Sequence, residues 1–333
     1  MARKRGSQLS SDMRQSMLRY MIMAREFDTA MLRLYRQGKA FGGVYSQLGN
    51  EAVSVGSALA LDRTKDVLFP MHRNIGGHFV FGQTLDQLML NHLARQGSQM
   101  RGTDGTGHYA DPALRIYGNV SHLGAMIPVA AGFSLADKLR GVTTVSMTYI
   151  GDGGAQVGEV HEALNFASVH KIPLILIIEN NQYAYSTPNS MEFACERLSD
   201  RAVGYGMAGA TIDGTDVELV YTTCSEAVDH ARKGLGPTLI ETVTMRMRGH
   251  AEHDDFSYVP KELLEEWSAK DPVERYIDRL IDDGVVTREE TDELRASILN
   301  DMIASIDRAL EHPWPAAEEG LKNVFMSTAG EGH

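Results

Sequence analysis

Hydrophobic residues at Met17, Met21, Ala24, Phe27, Met31, Leu34 and Tyr35 recur at helical spacing, and Gly38 follows them as a stop signal. The spacing predicts one long amphipathic helix whose apolar stripe is a core or subunit-contact face. A Gly-rich loop, FGGVYSQLG, leads into a helix of small residues from about Asn50, and Val67 to Phe69 reads as a short strand. The pattern is densest between Val145 and Tyr185. There Val145 to Ile150 predicts a strand, Gly151 to Gly154 a tight turn, and Val157, Val160, Leu164 and Ala167 the apolar stripe of a helix. Pro173 to Ile178 predicts a second, fully buried strand, which completes a βαβ unit. The same logic repeats in residues 210–214, an amphipathic stretch from Asp216 to Arg232, and a strand over residues 238–245. From Pro260 the chain turns helical: Leu263, Leu264 and Trp267 form one patch, and Asp271-Pro272 opens a second helix. Thr287 with Glu290 three residues later is a capping box for a third helix, with Leu294, Ile298, Ile306 and Leu310 facing inward.

These elements predict an α/β fold, a parallel sheet with helices on both faces and helical extensions at the two ends. The simplest organisation is one domain over residues 13–312, helical from about 260, between a mobile arm (1–12) and a loose tail (313–333). A net charge of −12 argues against nucleic acid and against an anionic membrane surface as partners. No apolar run is long enough to span a bilayer, and the basic start of the chain lacks a following apolar segment. Cys195 and Cys224 stand far apart in no C-x-x-C pattern, so neither a disulfide framework nor a zinc site is expected, and a reducing cytoplasm fits.

The chemistry sits at strand ends. Asp152 follows the first strand of the βαβ unit and Asn180-Asn181 the second, and open parallel sheets bind ligands outside the carboxyl ends of their strands. Asp152, Asn181 and a backbone carbonyl after it are hard oxygen donors of the kind Mg²⁺ takes alongside water and phosphate. Gly151, Gly153 and Gly154 let backbone approach a bulky anion, and the helix that follows adds N–H groups. A metal-bridged diphosphate is the natural ligand. The plain alternative is that GDGG is only a strand-to-helix turn and Asn-Asn only a loop start. GTDGTGHYAD, at 102–111, has no Lys and is not a P-loop.

GDGG followed by ENN, with Asn181 29 positions after Asp152, resembles the cofactor motif of the thiamine-diphosphate-binding fold. LGNEAVSVG (48–56), FPMHRNIGGH (69–78), GTDGTGHYAD, GNVSHLGAMIPVAAG (118–132) and RMRGHAEHDD (246–255) add to it in order. Together they resemble the α subunit of the E1 component of 2-oxo acid dehydrogenase complexes and their acetoin-cleaving relatives, over roughly residues 10 to 312. The resemblance implies the diphosphate-binding half of that fold. It implies Mg²⁺ on Asp152, Asn181 and the Tyr183 carbonyl. For the rest of the cofactor it implies Arg73, His72, Gly151, Gly153, Gly154, Arg246 and His250, with Leu123 as the apolar wedge between the two rings. His250 is the expected catalytic residue, a proton donor or electrostatic stabiliser. Glu162 occupies the family's acidic position and is expected to orient loops.

Some positions depart from the family's pattern. Tyr45 stands where pyruvate-type members often have His, which leaves the substrate open, and His72 replaces a usual Tyr. Ala125 and Met126 replace the Thr and Gln that hold potassium in some relatives, so no potassium is expected there. Ala251 replaces a phosphorylated Ser, so that switch is expected to be absent.

As partners the resemblance implies an E1 β subunit in an α₂β₂ assembly, a lipoyl-bearing E2, and a 2-oxo acid substrate, pyruvate or branched-chain. An acetoin dehydrogenase α subunit, a non-catalytic α-like paralogue and an unrelated Mg²⁺-nucleotide-binding protein are the alternatives. A competing reading makes His250, His253 and Asp254 metal ligands, with no HExxH frame to support it.

Overall fold

The computed structural model describes residues 9–322 except 41, 106 and 119. In chain order its elements are α1 (Ser11–Arg36), α2 (Glu51–Leu59), β1 (Val67–Phe69), α3 (Ile75–Val80), α4 (Leu85–His92), β2 (Ala110–Asp111) and β3 (Ile116–Tyr117). Next come α5 (Met126–Leu139), β4 (Ser146–Gly151), α6 (Gly158–Val169), β5 (Leu174–Asn180), a small hairpin of β6 (Tyr183–Ala184) and β7 (Thr187–Pro188), and α7 (Arg201–Tyr205). The chain continues through β8 (Ala208–Asp213), α8 (Val217–Arg232), β9 (Thr238–Val243), α9 (Lys261–Ser268), α10 (Pro272–Asp282) and α11 (Arg288–Glu311).

Seven strands form one sheet in the order β2-β3-β1-β4-β5-β9-β8, parallel throughout except where β2 pairs antiparallel with β3. Alternation along the strands explains why both faces are covered. Met147, Tyr149, Ile175 and Ile177 point into a core shared with α1, α2, α8 and α10. Ile150, Leu174, Leu176 and Ile178 point the other way, against α5 and α6. A third cluster joins the second half of α1 to α4 and α11, so the terminal helices close over the first face. The expected α/β architecture, a largely parallel sheet between two helical layers, is the one observed.

Helix ends follow their local chemistry. Thr287 accepts the Glu290 N–H while the Glu290 carboxylate accepts from Thr287 N, the expected capping box, and Thr84 with Gln87 forms another. The boundary of the N-terminal arm needs correcting. The Ser10 side chain caps α1 by accepting from Met13 N, so the helix begins at Ser11, inside the segment 1–12. The remainder of that arm, residues 1–8, lies outside the described residues. The start of the segment 313–333, expected to be loose, is tied to the fold: Gln96 N–H donates to the Pro313 carbonyl, and the Arg95 guanidinium lies 3.8 Å from the Trp314 ring centre, while most of residues 316–322 are exposed. Residues 323–333 are outside the described part. No described helix is long and apolar enough to cross a membrane.

Candidate cofactor site at the carboxyl edge of the sheet

The sheet order places β1, β4, β5 and β9 side by side, and the segments after the four carry polar groups to the same edge. Arg73 follows β1, Asp152 follows β4, Asn181 follows β5, and Arg246 and His250 follow β9. The register brings Gly151 opposite Glu179 and Asn180 opposite Val243, so these strands end nearly level.

Asp152 is 2% exposed. Its Oδ1 accepts the Gly153 N–H at 3.0 Å, while Oδ2 is buried with no hydrogen-bond partner among the described residues. Burial, aided by the charge of Glu192, pushes its carboxyl up to about 7. Asn181 is also buried, and its Oδ1 is likewise unpartnered. Asn180, by contrast, turns away: its amide donates to Glu241 at 2.7 Å and its Oδ1 accepts from Asn189 at 2.6 Å. Of the two asparagines, only Asn181 presents an open acceptor at this edge. Two orphaned buried oxygens on neighbouring strands are costly by themselves, roughly 1–3 kcal/mol each for neutral groups and more for a carboxylate. They suit a hard divalent cation.

The hairpin β6–β7 follows Asn181 and carries the Tyr183 carbonyl. It is held in a conformation uncommon for L residues, with Gln182 at φ 76° and Tyr185 at φ 53°. What holds it is Arg246, 1% exposed. Nη1 donates to the Tyr183 carbonyl, Nη2 to the Tyr185 carbonyl at 2.7 Å and to the Tyr258 hydroxyl at 2.6 Å, and Nε to the Arg248 carbonyl. Each of its nitrogens is engaged, so Arg246 braces the hairpin carbonyls.

Gly153 fits under this hairpin, since a Cβ there would stand 2.3 Å from the Ala184 Cβ. Nothing lies within 4 Å of a Cβ at Gly151, which leaves open space above the end of β4, and a Cβ at Gly154 would meet Ile150 and Leu123. Leu123 itself is 58% exposed, an apolar side chain standing at the rim.

Arg73 is half-buried. Its Nε donates to the Ser46 carbonyl at 3.0 Å and Nη2 to the His250 carbonyl at 2.5 Å, while Nη1 makes no hydrogen bond among the described residues. Burial beside Arg246 pulls the guanidinium down to about 10, so it stays charged at neutral pH. Burial, with Arg73 and Arg246 nearby, lowers His250 to about 4. Its ring is therefore neutral at pH 7. Arg246 Nη1 faces its Nδ1, which then accepts and leaves the proton on Nε2. The Asp254 carboxylate accepts the His250 N–H at 2.6 Å and also the Tyr258 hydroxyl, and no group of three His, Cys, Asp or Glu that could hold a metal is found among the described residues. The His250–His253–Asp254 metal reading therefore fails.

Tyr45 stacks on His72, with ring centres 4.8 Å apart, and meets His250 edge-on at 5.5 Å. His72 in turn meets His108 at 4.9 Å. These rings form an aromatic wall beside His250.

A family model described as the dehydrogenase E1 component matches residues 18–318. The chain belongs to that family. It is 37% identical to the 2-oxoisovalerate dehydrogenase subunit alpha of Bacillus subtilis (strain 168), over 93% of this chain and 94% of that one. It is 33% identical to the pyruvate dehydrogenase E1 component subunit alpha of Rhizobium meliloti (strain 1021), over 92% and 88%. With the alpha subunit of the acetoin:2,6-dichlorophenolindophenol oxidoreductase of Bacillus subtilis (strain 168) it shares 32%, over 98% and 97%. This is the family the sequence resemblance pointed to, an α subunit of thiamine-diphosphate-dependent E1 enzymes.

Within this E1 chain three polar groups near the site were missed by the sequence reading. Glu179, next to last in β5, is fully buried, bonded to Asn74 at 2.5 Å and pushed by burial up to about 7. Its signal was visible, an acidic residue closing an unbroken apolar run. Tyr258 and Glu192 gave none, because only the folded chain brings them to Arg246 and Ala184.

Proposed function

We propose that this E1 α chain holds the Mg²⁺-bridged diphosphate of thiamine diphosphate and, with a β subunit in an α₂β₂ assembly, decarboxylates a 2-oxo acid for transfer to a lipoyl-bearing E2. The observation that carries the reading is the pair of buried oxygens without a hydrogen-bond partner among the described residues, Asp152 Oδ2 and Asn181 Oδ1, at adjacent strand ends. With the Tyr183 carbonyl they make a hard-oxygen set for one divalent cation. Arg73 offers its remaining nitrogen to the diphosphate. Gly151, Gly153 and Gly154 let the backbone near it, and Leu123 stands at the rim as the wedge. Arg246 acts through the hairpin, and His72 acts through its stack with Tyr45.

Bound thiamine diphosphate supplies the carbon nucleophile and electron sink for decarboxylation. The chain's own part is to orient it and to govern protons. His250, neutral and protonated on Nε2, would serve as a proton donor to the bound group, and the Tyr45–His72 wall narrows the space next to that ring.

Branched-chain 2-oxo acids are the substrates to try first, since identity to the 2-oxoisovalerate relative is 37% against 33% for the pyruvate relative. Acetoin is the second reading, favoured by the 98% coverage against the acetoin relative. The test is co-expression with a β-type partner and dye-reduction assays across branched-chain 2-oxo acids, pyruvate and acetoin. Turnover that needs both chains, the cofactor and Asp152 is the expected result. Full turnover by this chain alone would overturn the assembly, and failure to bind thiamine diphosphate with Mg²⁺ would overturn the site.

A further inference from the structure

Glu192 follows the β6–β7 hairpin and belongs to none of the motifs described above. One of its carboxylate oxygens accepts the Ala184 N–H at 2.7 Å. The other, Oε2, is buried and has no hydrogen-bond partner among the described residues. That oxygen lies against the GDGG turn, since a Cβ added at Gly153 would be 3.7 Å from it. Across the same turn stands Asp152, whose own buried Oδ2 has no hydrogen-bond partner among the described residues, so two carboxyl groups face one turn. Arg246, the cation acting on both, has its nitrogens engaged by carbonyls, the His250 ring and a hydroxyl. Two such carboxylates at one turn ask for an added cation.

We propose that Glu192 is a positioning residue for the divalent cation of this site. One oxygen fixes the hairpin that carries the Tyr183 carbonyl; the other adds a negative charge that the cation balances from outside its ring of direct ligands. The inference rests on the cofactor-site reading above. It also separates charge from scaffolding: a glutamine at 192 accepts the Ala184 N–H equally well but carries no charge.

The experiment uses the full chain with its β-type partner and saturating thiamine diphosphate. Free Mn²⁺ is followed by electron paramagnetic resonance for wild type, E192Q, E192D and D152N. The expected result is Mn²⁺ binding weakened roughly tenfold in E192Q, as for other outer-shell partners of metal ligands. E192D, which keeps the charge, stays nearer wild type, and D152N loses more than either. Wild-type affinity in E192Q with D152N weakened overturns the role of Glu192 and leaves the cofactor site standing. Equal weakening in E192D and E192Q also overturns it, because geometry alone would then explain both. Wild-type affinity in D152N overturns the cofactor site itself.

Discussion

Arg73 donates a hydrogen bond from Nη2 to the backbone carbonyl of His250 at 2.5 Å, tying the loop after β1 to the loop after β9 across 177 positions of chain. The guanidinium thereby sets the position of the proposed proton donor while keeping one nitrogen for an anion. Lysine has no fork and cannot do both. Arg73→Lys is expected to weaken thiamine diphosphate binding roughly 10- to 100-fold, the worth of one or two charged hydrogen bonds. Calorimetric titration of the cofactor checks it, and unchanged affinity would remove Arg73 from the site.

Asp152 gives a pH dependence whose sign can be worked out. Its carboxyl is held up near 7 in the cofactor-free protein, so a cation must displace a proton below that pH. Divalent-cation affinity should rise as pH increases from 6 to 8 and level off above. Titrations at three pH values test this, and a flat profile would count against Asp152 as ligand.

The same shift predicts a stability trade. A carboxyl raised from 3.8 to about 7 in the fold destabilises the cofactor-free protein as pH rises through that window, by roughly 4 kcal/mol at most. Asp152→Asn should therefore raise the cofactor-free melting temperature at pH 8 and do little at pH 4. Added cation should stabilise wild type and leave the variant unchanged.

Gly153 tests the seat of the hairpin. With a Cβ only 2.3 Å from the Ala184 Cβ, Gly153→Ala must displace the β6–β7 hairpin. A stability loss of about 1–3 kcal/mol is expected from the overpacking, together with a larger loss of cofactor affinity. Chemical denaturation and cofactor titration, run side by side, separate the two.

His78 is a control to which no ligand role is assigned. It is 3% exposed, bonded to the Gln83 side chain at 2.8 Å and to the Tyr109 hydroxyl at 3.0 Å, and burial lowers it to about 4. A histidine neutral in the fold contributes stability that is full above its unfolded value near 6.5 and is lost as pH falls toward 4. His78→Gln should lose less stability than wild type between pH 7 and 4.5, by as much as about 1.4 kcal/mol per pH unit. Parallel slopes in urea denaturation would refute this.

Local periodicity carried most of the fold. The β1 segment at Val67–Phe69, the α8 stretch and the Thr287–Glu290 cap are all set by neighbours within a few residues, so their patterns survive without knowledge of the rest. The start of α1 was missed by two residues because Ser10 reads as a cap only once Leu9 and Met13 are seen packed against the core. At the site, Asp152 and Asn181 were legible as strand-end oxygens. That Asn180 is spent on Glu241 and Asn189, and that Arg246 is consumed by the hairpin, was not.

Hydrophobic period, turn chemistry and motif spacing are local properties of a chain, so the main sheet strands, the longer helices, the family and the residue types gathered at strand ends were legible in it. Tertiary structure alone decided which of those residues share an edge. The order β1-β4-β5-β9 brings residues 73, 152, 181, 246 and 250 together, and burial among one another's charges then sets their protons: Asp152 near 7, His250 near 4. Desolvation and opposing charge depend on what surrounds a group in space, and no spacing along the chain encodes that.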